Sequence, residues 1–383
     1  NSLGSALRRV GRRPEAIDAY QKAVEINPTA SHHSNLGVAL GEAERYDESL
    51  VELREAIRLD PMFTAARNNL GVALLRLQRW DEAVSELRKL IELDSEDSIA
   101  HTNLGTALWR SRQWHEAVSS FRRALSIDPN SEAASSGLVL TLQSYLSHAD
   151  QPDLDMVVKV LAEVTDRNPG YHHFWCTLGS VYTERGEHNQ AIKTLERSLK
   201  TKPDCTDSHF YLGRAQLATG EVSTATKSFR QAVRFSPRKP AMLARVAWEL
   251  TVDSDPRRRD SAEGMRVASQ AVELAPTDAL SWQVLGWANY RTGDWQKSLE
   301  ALQESMQLDK GGDPGQWLFA AMAHHQLGQS ANAQEYFFKS VRWLQQKKIS
   351  PATFEQLRKE AATLMGIKNQ GEMENRPTEE GND

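Results

Sequence analysis

The residues best suited to chemistry in this sequence are histidines that occur in adjacent pairs. The pairs are His32-His33, His172-His173 and His324-His325. Neighbouring side chains on a helix point about 100° apart, and no third ligand stands one turn away from any pair. The pairs therefore predict no metal site. The sequence also lacks a phosphate-binding glycine loop after a strand, a His-Glu-x-x-His motif, a nucleophile elbow and the kinase loops. We expect no catalytic residue, no enzymatic activity and no cofactor in this chain.

Asparagines at a fixed spacing give the sharpest binding signal. Asn35, Asn69 and Asn103 each precede a Leu-Gly pair, and each stands 34 residues from the next. An asparagine amide offers both a donor and an acceptor, which is what a peptide unit needs to be held from the side. A column of three such side chains would hold the backbone of an extended peptide. The alternative is that asparagine is an ordinary structural residue at this place.

Pairs of short helices are the elements that would position this column, and residues 172–205 show the pattern most fully. The first helix carries an apolar stripe at helical spacing. Its members are Trp175, Leu178 and Tyr182. Gly186 lies where this helix must turn, and Pro203 ends the second helix because it lacks a backbone donor. Gly179 interrupts the first stripe, and we expect the small Ala191 of the second helix to face it.

The same pattern recurs about ten times along the chain. After a truncated first copy, further copies begin near residues 30, 64, 98, 132, 172, 206, 240, 279 and 313. The order Trp, Leu-Gly, Tyr, Gly, Ala and Pro over 34 residues resembles the tetratricopeptide repeat. The resemblance implies an all-α fold, an α-solenoid of about ten helix-turn-helix units in a right-handed superhelix. It also implies that first helices line the concave wall.

Irregularities divide the predicted array into segments. Residues 1–131 hold repeats 1–4, residues 132–171 a degenerate repeat with an insertion, and residues 172–349 repeats 6–10. We expect the helix after the insertion to be capped near Asp153. Residues 350–366 read as a capping helix with Ser350 as cap and Pro351 as first residue. It would cover the apolar surface of the last repeat. The polar residues 367–383 are expected to be disordered.

Aromatic residues outside the consensus core positions form a second set of candidate binding residues. Trp175, Trp282 and Trp317 stand at the core position of the first helix. A different group falls where the resemblance places the concave wall, and its members are Trp109, Trp248, Trp287 and Tyr290. Exposed aromatic side chains on such a wall are good anchors for a protein partner. Contact with the neighbouring repeat is the alternative explanation.

The composition limits the expected cellular location of the protein and the classes of partner it would bind. The net charge is −5, which gives no field that would favour nucleic acid or an anionic membrane. Cys176 and Cys205 belong to no paired-cysteine motif, so a reducing, cytoplasmic location is expected. The chain begins inside a repeat, and we interpret it as a fragment in which a signal or anchor cannot be assessed. Its oligomeric state stays open.

Two further resemblances bear on function. The asparagine column is similar to the ladder in the repeat arm of O-linked N-acetylglucosamine transferase, where such residues hold a peptide backbone. Residues 272–367, with Lys310-Gly311-Gly312-Asp313 and Trp317, resemble the repeat tails of large bacterial serine/threonine protein kinases. The first hypothesis is therefore a scaffold that binds protein or peptide segments on its concave face. The alternative is the non-catalytic arm of a kinase, or of a glycosyltransferase, whose catalytic domain is missing.

Overall fold

The computed structural model describes residues 1–253, 255–347 and 352–367, and within them the regular structure is helical. The described α-helices, in chain order, are α1 (Ser2–Arg9), α2 (Arg13–Ile26), α3 (Ala30–Glu42), α4 (Tyr46–Leu59), α5 (Thr64–Arg76), α6 (Trp80–Leu93), α7 (Ser98–Arg110), α8 (Trp114–Ile127), α9 (Glu132–His148), α10 (Leu154–Arg167), α11 (His172–Glu184), α12 (His188–Thr201), α13 (Thr206–Ala218), α14 (Val222–Phe235), α15 (Pro240–Thr251), α16 (Ser261–Leu274), α17 (Ala279–Thr292), α18 (Trp295–Leu308), α19 (Pro314–Gln326), α20 (Ser330–Lys347) and α21 (Ala352–Leu364). A short 3-10 helix, Pro256–Arg258, lies between α15 and α16.

Stacked helix pairs make up the fold. Within a pair the two helices pack against each other, as α3 does on α4 and α17 on α18. The second helix of one pair then packs on the first helix of the next, as α4 does on α5 and α6 on α7. Because no pair can bury its apolar stripe alone, each core continues into its neighbour. The predicted all-α solenoid of helix-turn-helix units is confirmed.

The chain divides into two compact parts, which we call the N-terminal body (residues 1–177) and the C-terminal body (residues 178–383). Each has its own buried apolar clusters. In the N-terminal body one cluster runs from Leu50 through Leu87 to Ala117. In the C-terminal body one cluster runs from Phe210 to Ala288, and another joins Trp287 and Phe337 to residues of α21.

A glycine on the first helix lets the second helix come close in most repeats. A Cβ added to Gly37 would lie 2.7 Å from Leu53, and one added to Gly71 would lie 2.7 Å from Leu87. At Gly179 the nearest atom is Leu195 Cγ, at 2.4 Å. The prediction that Ala191 faces this glycine is therefore wrong. The large side chain that follows each glycine by sixteen residues fills the gap.

The turn inside each pair needs one residue with a left-handed backbone. Gly186, at φ +77°, occupies this place as predicted, because glycine adopts positive φ without steric cost. In the N-terminal body Glu44, Gln78 and Arg112 hold the same place at φ 60–64°. These turns therefore tolerate a residue with a side chain, at a cost of about 1–2 kcal/mol each.

The irregular fifth repeat is built on a longer first helix, α9, which has 17 residues. The Asp153 side chain accepts a hydrogen bond from the Met156 backbone N–H at 2.9 Å, so the predicted cap of α10 is confirmed. The Tyr145 hydroxyl accepts a hydrogen bond from the Asp153 N–H at 2.8 Å. This bond ties the inserted residues to the core.

Ion pairs join successive second helices of the N-terminal body. Arg54 of α4 reaches Glu82 of α6 at 3.2 Å, and Arg88 of α6 reaches Glu116 of α8 at 2.5 Å. The two pairs have the same separation of 28 residues. Each is half-exposed, and we therefore expect at most about 1 kcal/mol from either.

The C-terminal end is described as far as Ile367, which is half-buried against the last apolar cluster. The predicted cap Ser350, the predicted first helical residue Pro351 and the predicted polar tail beyond Ile367 lie outside the described residues.

Candidate functional site

The three predicted asparagines occupy equivalent places on the first helices α3, α5 and α7 of the N-terminal body. Asn35, Asn69 and Asn103 are all half-buried. Each lies directly before the leucine and glycine that seat the second helix, so packing fixes the direction of the first helix. The first helices also contact each other along this face, α3 with α5 and α5 with α7. We call this surface the asparagine face.

Two of the three amides already have a partner in the preceding repeat. Asn35 Nδ2 donates to Asn1 Oδ1 at 3.0 Å, and Asn103 Nδ2 donates to Asn68 Oδ1 at 2.9 Å. Both acceptors stand two residues before the leucine of their repeat. The residue at this place in the repeat before Asn69 is Ser34, and within the described residues the Asn69 amide makes no hydrogen bond. Asn69 is therefore the member of the column that is open to a ligand.

A cleft of about 380 Å³ opens beside Asn69. It lies between α3, α4 and α5, and its floor includes Gly37, Leu53 and Ala73. The glycine leaves room that a larger side chain would fill. The rim carries charges of both signs, namely Glu42, Glu44 and Arg76.

Trp109, at the end of α7, contacts the neighbouring repeat while keeping part of its ring exposed. Its Nε1 donates to Ser144 Oγ at 3.0 Å, and the Arg110 guanidinium lies 4.4 Å from its ring centre. The contact with the neighbouring repeat is therefore present at Trp109, and its role as an anchor for a partner stays a prediction.

The aromatic residues predicted in the C-terminal body do not form one exposed wall. Trp287 is fully buried, with its ring centre 4.4 Å from that of Trp248 and 4.9 Å from that of Phe319. The prediction that Trp287 anchors a partner is wrong, because the neighbouring repeats enclose it. Tyr290 is half-buried with its edge against Phe319, and burial raises the pKa of its hydroxyl. Trp248 is half-buried and lines a cleft.

The helix α21 covers part of the same face. Leu357 and Ala361 are buried in a cluster with Trp287 and Phe319. Glu360 forms an ion pair with Arg291 of α17, with Nη2 and Oε2 2.8 Å apart. The chain itself therefore occupies the first-helix face at α17 and α19.

The open part of this face lies around α13 and α15, in a cleft of about 320 Å³ that we call the arginine cleft. Its apolar lining comes from four residues: Phe210, Ala244, Trp248 and Leu280. Its charged lining comes from three: Arg214, Arg245 and Glu249. Sequence reasoning singled out only Trp248 of this set. The signal was present, because Tyr211 and Arg245 replace asparagine at the column position.

Of the two arginines in the arginine cleft, only Arg214 has carboxylate partners at ion-pair distance. Arg214 contacts Glu184 at 2.6 Å and Glu249 at 2.9 Å. Burial raises the pKa of the Glu249 carboxyl, against the opposing attraction of Arg214. The Arg245 guanidinium lies 4.1 Å from the ring centre of Phe210, and Arg245 forms no ion pair with the described residues.

The paired histidines have separate partners. His32 Nδ1 lies 2.6 Å from the Asn27 carbonyl oxygen, whereas His33 Nδ1 lies 2.7 Å from Glu52 Oε2. In the part of the chain that the structure describes, no three histidine, cysteine or acidic side chains are grouped as metal ligands. None of the described helices is long and apolar enough to cross a membrane.

Comparison with known proteins decides the family. The profile described as Tetratricopeptide repeat matches residues 1–61, 35–98, 69–132 and 176–240, together just over half of the chain. The chain is a tetratricopeptide repeat protein. Tetratricopeptide repeat proteins are generally scaffolds for protein–protein interaction.

Individual relatives match over shorter segments. Anaphase-promoting complex subunit 3 of Schizosaccharomyces pombe is 24% identical over 148 residues, which are 39% of this chain and 22% of that protein. Superkiller complex protein 3 of Homo sapiens is 31% identical over 97 residues, 25% of this chain and 6% of that protein. The chain therefore spans less than a quarter of the length of these curated relatives.

Two solved structures are similar to part of the chain. The crystal structure of YrrB, described as a TPR protein with an unusual peptide-binding site, is 17% identical with a TM-score of 0.39. It covers 50% of this chain and 95% of its own. The structure of MamA is 19% identical with a TM-score of 0.33, covering 55% of this chain and 94% of its own.

The resemblance to kinase tails and the cytoplasmic location stay predictions.

Proposed function

We propose that the asparagine face of the N-terminal body binds an extended segment of a partner protein by its backbone. The observation that carries this proposal is the Asn69 amide, which is half-buried beside an open cleft and makes no hydrogen bond to the described residues. Binding, and not catalysis, is the activity that we assign to this chain.

The spacing of the repeats suits an extended peptide. Stacked helices advance by about 10 Å per step, and an extended chain covers about 3.3 Å per residue. One repeat therefore matches about three peptide residues. Asn35 and Asn103 are held in place by Asn1 and Asn68, and each retains an amide oxygen for a backbone N–H. Asn69 offers both a donor and an acceptor.

The cleft next to Asn69 would take a side chain of the bound segment. Val38 and Val72 give it apolar walls, and Arg76 stands at its rim. Backbone contacts then provide affinity for many sequences, while the cleft adds a preference at one position of the bound segment, the residue next to Asn69.

The proposal is tested by calorimetry with peptides enriched on the full chain from a random library. Each asparagine contact contributes about 1 kcal/mol net. We expect Asn69→Ala to weaken binding about fivefold and the triple change of Asn35, Asn69 and Asn103 to Ala to weaken it about a hundredfold. Helicity should be unchanged in both variants.

Asn130→Ala is the matched control, because Asn130 is exposed on the turn before α9 and away from the column. It should bind like the unmodified chain. Equal affinity in the triple variant would assign the asparagines to ordinary repeat structure and contradict the proposal.

A further inference from the structure

The two arginines of the arginine cleft differ in their ion pairs. Arg214 has carboxylate partners on two sides, Glu184 and Glu249. Arg245 is exposed and forms no ion pair with the described residues. A ligand carboxylate that enters this cleft therefore finds its partner at Arg245.

The Arg245 guanidinium is also held in place. It stacks over Phe210, with 4.1 Å between the guanidinium carbon and the ring centre, and lies 5.9 Å from the ring centre of Tyr211. Stacking on an aromatic face fixes the plane of the guanidinium. One of its N–H groups hydrogen-bonds to the Tyr211 hydroxyl, and the others can donate to a ligand. A fixed cation loses less side-chain entropy when an anion binds.

Apolar surface lies beside this cation. Leu280, at the start of α17, is 39% exposed. Trp248 is half-buried and packs on Trp287, which keeps its ring in place. Accessible apolar side chains next to a fixed arginine favour a ligand that carries an apolar group and an anionic group close together.

We propose that the arginine cleft binds a protein segment in which a single aspartate or glutamate stands next to a large apolar residue. The carboxylate pairs with Arg245, and the apolar side chain packs on Trp248 and Leu280. Glu249 lines the same cleft and repels further negative charge, so runs of acids are disfavoured. This site is separate from the asparagine face and recognises side chains instead of backbone.

The first experiment enriches short random peptides on the full chain and on its Arg245→Gln variant. The unmodified chain should enrich peptides with one acid beside an apolar residue, and the variant should not. A synthetic peptide with the enriched sequence should then lose at least about tenfold in affinity on Arg245→Gln. Its affinity should also fall at high salt. Absence of such peptides, or equal affinity for both chains, would overturn the proposal.

Two variants control for folding and for general charge. Arg238→Gln removes an arginine that is exposed and unpaired within the described residues, on the turn before α15, and should bind normally. Leu280→Asp places a second negative charge at the cleft on an exposed position and should abolish binding with unchanged helicity. Retained binding in Leu280→Asp would contradict the proposed place of the apolar side chain.

Other occupants give different results. A synthetic peptide of residues 368–383 that competes for the cleft, with tighter binding by a chain ending at residue 367, would make the occupant this chain's own acidic segment. Self-association that Arg245→Gln removes would make it a second copy. Either result overturns the proposal. Asn69→Ala should leave this binding unchanged. The proposals for the asparagine face and for the arginine cleft can therefore be contradicted independently of each other.

Discussion

At the scale of single residues, Gly179 and Leu195 show how little room separates the two helices of a repeat. A Cβ on Gly179 would lie 2.4 Å from Leu195 Cγ, closer than packed carbon atoms allow. We expect Gly179→Leu to destabilise the protein by roughly 1–3 kcal/mol or more, because the second helix must move outward. Denaturant unfolding measures the change, and an unchanged midpoint would contradict this packing.

The matched control is Gly41→Ala, at another glycine near the end of a first helix. A Cβ there would lie 3.4 Å from Ser49 Oγ, which is ordinary contact. Alanine favours the helix over glycine by up to about 1 kcal/mol. Gly41→Ala should therefore leave stability unchanged or raise it. Comparing the two variants distinguishes the effect of close helix packing on stability from the effect of helix propensity.

Glu263 of α16 makes stability depend on acid pH. Hydrogen bonds from Arg266, followed by those from Arg230, lower the pKa of the Glu263 carboxyl from 4.5 to about 2. Because the folded pKa is depressed, the stabilisation is fully present above about pH 4.5 and is lost as the pH falls towards 2. Both arginines are half-exposed, so solvent screening reduces the contribution to about 1–2 kcal/mol.

Glu263→Gln tests this dependence. Near neutral pH the variant should be less stable than the unmodified chain by that amount, and the difference should shrink steadily below pH 4.5. Glu273→Gln is the control, because Glu273 is exposed on the same helix without an ion pair among the described residues. A difference between Glu263→Gln and the unmodified chain that is constant from pH 7 to pH 3 would count against the assigned cause.

Residue roles were predictable only where the backbone pattern determines them. Gly179 and Gly186 could be assigned from spacing, since the close approach of the two helices requires glycine and a left-handed turn favours it. The partner of Gly179 could not, because side-chain length decides whether Ala191 or Leu195 fills the gap. The prediction for Trp287 was wrong for a related reason. The same position on the first helix faces open surface in one repeat and packs against the neighbouring repeat in another.

At the scale of elements, α21 lies on the last repeat as the sequence predicted, whereas its contact with α17 was not predicted. Its apolar face, with Leu357 and Ala361, could be read from spacing. Its contact with α17 is made by the ion pair between Glu360 and Arg291, which are 69 residues apart in the sequence. Helical periodicity shows which face of a helix is buried, but it does not show which other helices pack against that face.

Removing α21 should expose its contact surface. A chain that ends at residue 347 loses Leu357 and Ala361 from the last cluster and leaves the buried Arg291 without Glu360. We expect this chain to associate, because solenoid ends without a polar cap tend to do so. Light scattering should show a larger mass for it. A chain that ends at residue 367 should behave like the unmodified protein, and a truncated chain of unchanged mass would contradict the capping role.

At the scale of the whole molecule, the repeat number and the fold class followed from the sequence because one pattern recurs with little change. The asparagine column was equally visible. The ligand of the repeats could not be predicted from the sequence. The repeat pattern reflects contacts between helices, and residues that bind a ligand need not recur with it. The arginine cleft became visible only when Phe210, Arg245 and Leu280, from three repeats, were placed together.

Repeats 2–4 should be interchangeable. Deleting residues 64–97 removes one whole repeat and brings Arg54 to the place where it can pair with Glu116, as it now does with Glu82. We expect the shortened chain to fold with unchanged helical content per residue, by circular dichroism. A deletion of half a repeat, residues 64–80, removes a first helix without its partner and should not fold well. Similar behaviour of both chains would contradict a register set by the repeat.

The ion pairs between second helices have a consequence for inheritance. In repeats 2–4 donor and acceptor recur every 34 residues. An in-frame duplication or loss of one complete repeat there leaves both partners at each contact between second helices, and no compensating mutation is needed. An insertion of partial length requires new partners, and repeat 5 is an example. There Arg122 pairs with Glu163, 41 residues further on. The length of such a protein can therefore change between generations in steps of whole repeats, whereas intermediate lengths persist only after further substitution.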